Sequence, residues 1–190
     1  MSVLTLMPSD TELSVQVDEQ EDLAGGIATA VFDSKARIYR YLLTRIWDPS
    51  IPPVVFLMLN PSTADALEDD ATIRRLSGPK GFARTLGGGG LIVVNLFALR
   101  STDPRVLRDH PDPVGPLNDA FIRQATAGAH TVVAAWGAGG GQHGRGARVT
   151  QALTARYTAL HCLGVTAAGQ PRHPLYLPGD AALKPYGAAA

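Results

Sequence analysis

The chain has 190 residues, 45% hydrophobic and 18% charged, with a formal net charge of zero. This is the composition of an ordinary soluble globular protein, and no apolar run approaches the roughly 18 residues that a membrane span needs. A single cysteine, Cys162, excludes an internal disulfide and a four-cysteine iron–sulfur cluster. No basic segment followed by an apolar stretch opens the sequence, so a cytoplasmic location is the expectation.

The first 34 residues hold seven acidic residues and no Lys or Arg. The rest of the chain carries 17 basic against 10 acidic residues, a balance of +7. This asymmetry predicts an acidic N-terminal arm, residues 1–26, on a basic single α/β domain, residues 27–190. Such a core attracts phosphates, with solvated surface arginines as the alternative.

Residues 28–33 and 37–47 are predicted to form a hairpin, its second strand half-exposed because Arg37, Arg40 and Arg45 alternate with apolar positions. The run 53–59 (PVVFLML) is continuously apolar, as in a strand covered on both faces. A helix should follow, capped by Asp69-Asp70 and split at Gly78-Pro79 and Gly81. LIVVNL after the glycine turn at 87–90 is a second buried strand. Asp103-Pro104 resembles an N-cap with proline at the first helical position, and 116–128 a further helix. TVVAAW (131–136) is a third buried strand, a glycine-rich segment (137–146) leads into a helix near 147–157, and LHCLGV (160–165) is a fourth strand. Buried strands alternating with helices predict a central, mostly parallel sheet flanked by helices on both faces, with an N-terminal β-hairpin.

Four polar motifs stand where these strands run out: Asn60-Pro61-Ser62, Asn95 with downstream Arg100, Trp136-Gly137, and His173-Pro174. In open α/β sheets, ligands bind beyond the carboxyl ends of the strands, so these motifs point to one composite site. Loop punctuation by Asn-Pro and Trp-Gly is the plainer alternative. The amide of Asn60 is suited to orient a water, and that of Asn95 offers a donor and an acceptor to a nucleobase edge. The imidazole of His173 is suited to donate to a developing oxyanion. Together these groups fit cleavage of an N-glycosidic bond. A turn-capping Asn95 and a surface or core-edge His173 are the alternatives.

The order LNPS, VVNLF, WG and HP resembles the uracil-DNA glycosylase superfamily. The resemblance implies a water-positioning role for Asn60, base recognition by Asn95 and a leaving-group contact from His173, with Phe97 as a stacking candidate. Two departures stand out: Leu175 replaces the serine that usually follows His-Pro, and the LNPST turn lacks the aspartate of the most active glycosylases. Weaker activity or none follows from them. The longer run LNPSTAD, DDATIRR, NLFALR, WG and PRHPLY looks like the bacterial and phage family called domain of unknown function 1643, which brings no established reaction.

Arg74, Arg75, Arg145, Arg148 and Arg172 are candidates for phosphate contacts, and His143 shares the glycine-rich segment, which is expected to act as a lid or a loop of close backbone approach. The five histidines show no metal-ligand spacing, and no metal or organic cofactor is expected. The expectation is an N-glycosidic hydrolase acting on a nucleic acid or nucleotide. Alternatives are a non-catalytic binding module for the same ligands and a Mg²⁺-dependent phosphohydrolase using Asp65, Asp69 and Asp70.

Overall fold

A computed structural model describes residues 6–8, 15–22, 25–65, 68–103, 105–156 and 158–187. Its centre is one eight-stranded sheet: β1 (Gln16–Glu21), β2 (Ile27–Phe32), β3 (Arg40–Ile46), β4 (Val54–Met58), β5 (Gly90–Asn95), β6 (Val132–Ala134), β7 (Leu160–Cys162) and β8 (Lys184–Tyr186). The strands lie in the order β1-β2-β3-β5-β4-β6-β7-β8.

The expectation of a mostly parallel sheet flanked by helices is overturned. β1–β2, β2–β3, β3–β5 and β7–β8 are antiparallel; only β5–β4, β4–β6 and β6–β7 are parallel. The sheet is therefore mixed, and antiparallel pairings outnumber parallel ones. An uninterrupted apolar run reports burial on both faces, which VVFLM and LIVVN have, but it does not report the direction of the neighbouring strand. The helices are few and short: α1 (Ala71–Ser77), α2 (Phe82–Thr85), α3 (Val106–Asp109), α4 (Asn118–Thr126) and α5 (Arg145–Thr154).

Side-chain alternation along the central strands divides most of the core into two clusters, with Ala30 and Phe32 of β2 forming a small third. Val55, Leu57, Ile92 and Val94 pack with Phe121 and Ile122 of α4 and with Val149 and Leu153 of α5. Val54, Phe56, Leu91 and Val93 pack with Ile73 and Leu76 of α1 and with Phe82 and Ala83 of α2.

Residues 16–21, expected within an arm, form the edge strand β1, and Leu6 is buried in the first cluster. β1 reads QVDEQE, and its one apolar residue, Val17, is exposed, so no apolar period marks the strand. Its Asp18 pairs with Arg37 and its Glu19 accepts from Thr29. Arg40, read as half-exposed, is buried at the start of β3. The Asp103-Pro104 signal bears on a position outside the described residues, Pro104; Asp103 accepts from the Arg105 backbone N–H. Among the described residues no helix is long and apolar enough to cross a membrane.

Candidate functional site

The carboxyl ends of β4, β5 and β6 open into a cleft of about 730 Å³. Asn60, Ser62, Asn95, Trp136, Gly137, Arg172 and His173 all line it. Pairing of Met58 with Asn95 and of Leu57 with Ala134 sets the three strand ends side by side, so residues far apart in sequence share one mouth.

Asn60 lies two residues beyond β4, ahead of a proline. Its Nδ2 donates to the carbonyls of Pro61 (3.0 Å) and Ser101 (2.8 Å). With both amide protons held by backbone, Oδ1 is the atom left to accept from a water or ligand. Ser101 also donates its backbone N–H to the Pro61 carbonyl at 3.0 Å, which ties the Asn60 turn to the segment after β5.

Asn95 is 1% exposed and its Nδ2 has no hydrogen-bond partner. A buried amide donor left unpaired costs roughly 1–3 kcal/mol, so an occupant with an acceptor would gain by satisfying it. The backbone here is clamped from behind. Asn118 donates from Nδ2 to the carbonyls of Asn95 and Leu96 at 2.9 and 3.0 Å, and Arg145 donates from Nε to that of Leu96 at 2.9 Å.

His173 stands half-buried at the N-cap of the single 3-10 turn Pro174–Tyr176. Its Nδ1 accepts from the Leu175 backbone N–H at 3.3 Å, which places the proton of the neutral ring on Nε2 as a donor. Burial lowers its pKa below 6.5 while nearby Asp70 pulls the other way, so the ring is neutral at pH 7. Tyr176, 74% exposed, lies beside it with ring centroids 5.6 Å apart.

Trp136 is buried, with Nε1 donating to Gln170 at 2.9 Å. Gly137 follows with φ 70° and ψ −168°, a conformation open only to glycine, and this turn brings the chain back toward His173. The glycine-rich segment forms 3-10 turns over Ala138–Gly144, interrupted at Gln142 and His143. A Cβ at Gly140 would overlap the Trp136 indole, and one at Gly139 would overlap Leu59. The close backbone approach is thus to the protein's own side chains.

The other sequence-derived candidates lie away from the cleft wall. Pro61 and Pro174 are buried turn residues beside it. Phe97 is wholly buried in the core, in a T-shaped contact with His143, so it has no face for a base. Arg145 is 6% exposed and pairs with Asp119. Arg100 donates to the Arg37 carbonyl and lies over Phe32, and burial lowers its pKa, with Arg37 adding to the shift. Arg74 donates to the Asp69 carbonyl, Arg75 to that of Leu177, and Arg148 is exposed on α5.

Of the three carboxylates considered for Mg²⁺, Asp70 caps α1 by accepting from the Ile73 N–H (2.8 Å) and Asp69 pairs with Arg45 (2.7 Å). Asp65 lies 3.8 Å from Arg37. Among the described residues no group of three potential ligands gathers.

Lining residues that escaped the sequence reading include Arg40, Asp70 in its capacity as a cleft residue, Ser101, Thr102, Thr166 and Tyr176. The DDATIRR motif signalled the cap at Asp70, and nothing local signalled that α1 would bring that cap to the cleft.

The fold and cleft define a mixed-sheet protein with a ligand-sized cleft at its parallel strand ends. The chain belongs to the family described as protein of unknown function (DUF1643), whose model matches residues 40–175. No curated protein and no solved structure matches it.

Proposed function

We propose that the cleft binds a nucleobase-bearing ligand, a nucleotide or an extruded nucleotide of a nucleic acid, and hydrolyses its N-glycosidic bond. The observation that carries this reading is the convergence of Asn60, Asn95 and His173 in one cleft, two of them with their polar atoms oriented by backbone hydrogen bonds. Asn95 presents its unpaired amide donor to a base carbonyl. Oδ1 of Asn60 accepts a hydrogen bond from a water and aims its oxygen at the anomeric carbon. The carbon–nitrogen bond breaks with its electron pair passing to the base, while the water oxygen bonds to the sugar and its released proton goes to solvent. His173 donates from Nε2 to the base oxygen on which the negative charge builds up, and the departed base then takes a proton from water. Tyr176 at the rim offers an exposed ring for stacking. A base within a duplex would have to leave the stack first, at a cost of a few kcal/mol.

The test is release of free base from single- and double-stranded oligonucleotides bearing uracil, hypoxanthine or xanthine, and from the nucleosides and nucleotides. Asn60→Ala and His173→Ala should each lower turnover by about 10²-fold or more, with binding retained. Asn95→Asp should change which base is accepted, because it replaces a donor by an acceptor. Activity indifferent to all three would place the chemistry elsewhere.

A binding module without chemistry is the second reading. It is favoured by the amide at position 60, which orients a water but is no base, and by the helix-capping role of Asp70. No base released from any substrate, with binding weakened by Asn95→Ala, would establish it.

A further inference from the structure

Arg40 is the least expected residue of the cleft wall. It is 3% exposed at the first position of β3, its backbone N–H donating to the Ala98 carbonyl at 2.9 Å. One guanidinium nitrogen, Nη1, donates to the Ala64 carbonyl in the LNPSTAD loop, whereas Nε is buried without a partner. Among the described residues Arg40 forms no ion pair. Its neighbours in the chain differ: Arg37 pairs with Asp18 and Arg45 with Asp69. Asp70 and Asp65 lie near enough to favour the charge on Arg40, while Arg45 and Arg100 oppose it. Burial lowers its pKa to about 10, which leaves it a cation at neutral pH.

A buried charge is costly unless it is paired. Here the cation shares a cleft with a second buried donor lacking a partner, the Asn95 Nδ2, and with the His173 imidazole, whose Nε2 is left as a donor. Among the described residues Asp70 is the one carboxylate on the wall, and it is engaged with the Ile73 N–H. Two buried donors of this wall, Arg40 Nε and Asn95 Nδ2, therefore meet no acceptor from the protein.

We propose that Arg40 and Asn95 form an anion subsite in this cleft, so that its ligand carries a full negative charge on an oxygen-bearing group beside its hydrogen-bonding edge. The identity of that ligand as a nucleobase compound rests on the function proposed above; the subsite itself does not depend on turnover. Two sources share the chemistry: a phosphate on the sugar, or an acidic substituent on the base.

The experiment is calorimetric binding to the full chain with two matched pairs, uridine 5′-monophosphate against uridine and orotate against uracil, together with inorganic phosphate alone. The charged member of at least one pair should bind the wild-type protein about 10-fold or more tightly than its neutral counterpart, the scale of a charge-assisted hydrogen bond. The pair that discriminates identifies the source. Arg40→Gln should abolish the preference, Arg40→Lys should retain part of it, and Arg148→Ala, on α5 away from the cleft wall, should leave it in place. Circular dichroism establishes that each variant is folded, and the wild-type comparison needs no variant.

If neither pair discriminates in the wild-type protein and phosphate does not bind, the subsite does not exist. A preference that survives Arg40→Gln or vanishes with Arg148→Ala also overturns it. The two proposals fail separately. Anion preference without base release would sink the hydrolysis and leave the subsite, and base release insensitive to ligand charge would do the reverse.

Discussion

At the scale of single residues, the cleft depends on polar atoms whose partners are already fixed, and His173 shows the consequence for pH. Its folded pKa lies below the unfolded value of about 6.5, chiefly through burial. The unfolded chain therefore binds the proton more readily, and this residue's contribution to stability is complete above about pH 6.5 and is lost as pH falls toward the folded pKa. The difference in unfolding free energy between wild type and His173→Gln should shrink as pH falls below 6.5; a constant difference from pH 7.5 to pH 5 would refute the assignment. Asp70 opposes the shift, and Asn caps a helix about as well as Asp. Asp70→Asn should then keep α1 intact and lower the His173 pKa further, as read from the imidazole resonances in an NMR titration. Asp70→Ala should in addition cost about 1 kcal/mol through loss of the cap to Ile73.

At the scale of elements, the segment after β5 and the glycine-rich segment after β6 hold the cleft in shape from behind. Asn118 satisfies two carbonyls there with one buried amide, and Arg145 reaches one of the same pair. Asn118→Ala should lower stability by about 2 kcal/mol or more, because the carbonyls of Asn95 and Leu96 lose a partner in a buried setting; a denaturant midpoint within error of wild type would show that water replaces the amide. Gly140→Ala should likewise lower the melting temperature and alter the tryptophan fluorescence, since a methyl there overlaps the Trp136 indole. These supports explain what could be read from sequence and what could not. Asn60, Asn95, Trp136 and His173 were legible because turn residues at the ends of apolar runs mark strand ends, and strand ends in one sheet lie together. The place of Arg145 was not, since an arginine beside a glycine run has the same local signature whether it faces a phosphate or a buried carbonyl. Phe97 and Arg40 were misread for a related reason: periodicity says that a face is covered and not what covers it. Arg40 pairs with Phe32 across a bulge that leaves the next residue, Tyr41, without a partner in β2, and β3 is buried continuously from Arg40 to Thr44, so the alternation from which exposure was inferred does not hold.

At the scale of the whole molecule, apolar runs located the four central strands, while strand order and direction depended on segments with little apolar signal. β1 is the clearest example, an acidic strand that is nevertheless an edge of the sheet. Along its full length it pairs with β2, from Gln16 opposite Phe32 to Glu21 opposite Ile27. Leu6, upstream of it, is buried in the core cluster that includes Val31, Tyr41 and Leu42. Its charges have a second effect, because Asp18, Glu19 and Glu21 on an open edge discourage pairing with another chain. Deleting residues 1–22 should therefore remove a strand, a buried leucine and this protection together. The lost leucine alone accounts for about 2 kcal/mol, and the melting temperature should fall by several degrees in calorimetry. The truncated protein should also aggregate more readily with rising concentration, because β2 becomes the bare edge. The deletion takes away six acidic residues and no basic one, so polyanion binding at low salt should strengthen as well. Asp18→Asn, Glu19→Gln and Glu21→Gln combined separate the causes, since they keep the strand and remove half of that charge. This variant should reproduce part of the gain in polyanion binding, and its melting temperature should lie nearer to wild type than that of the deletion. A deletion that melts with the wild type and stays monomeric would return residues 1–22 to the status of a loosely attached acidic arm.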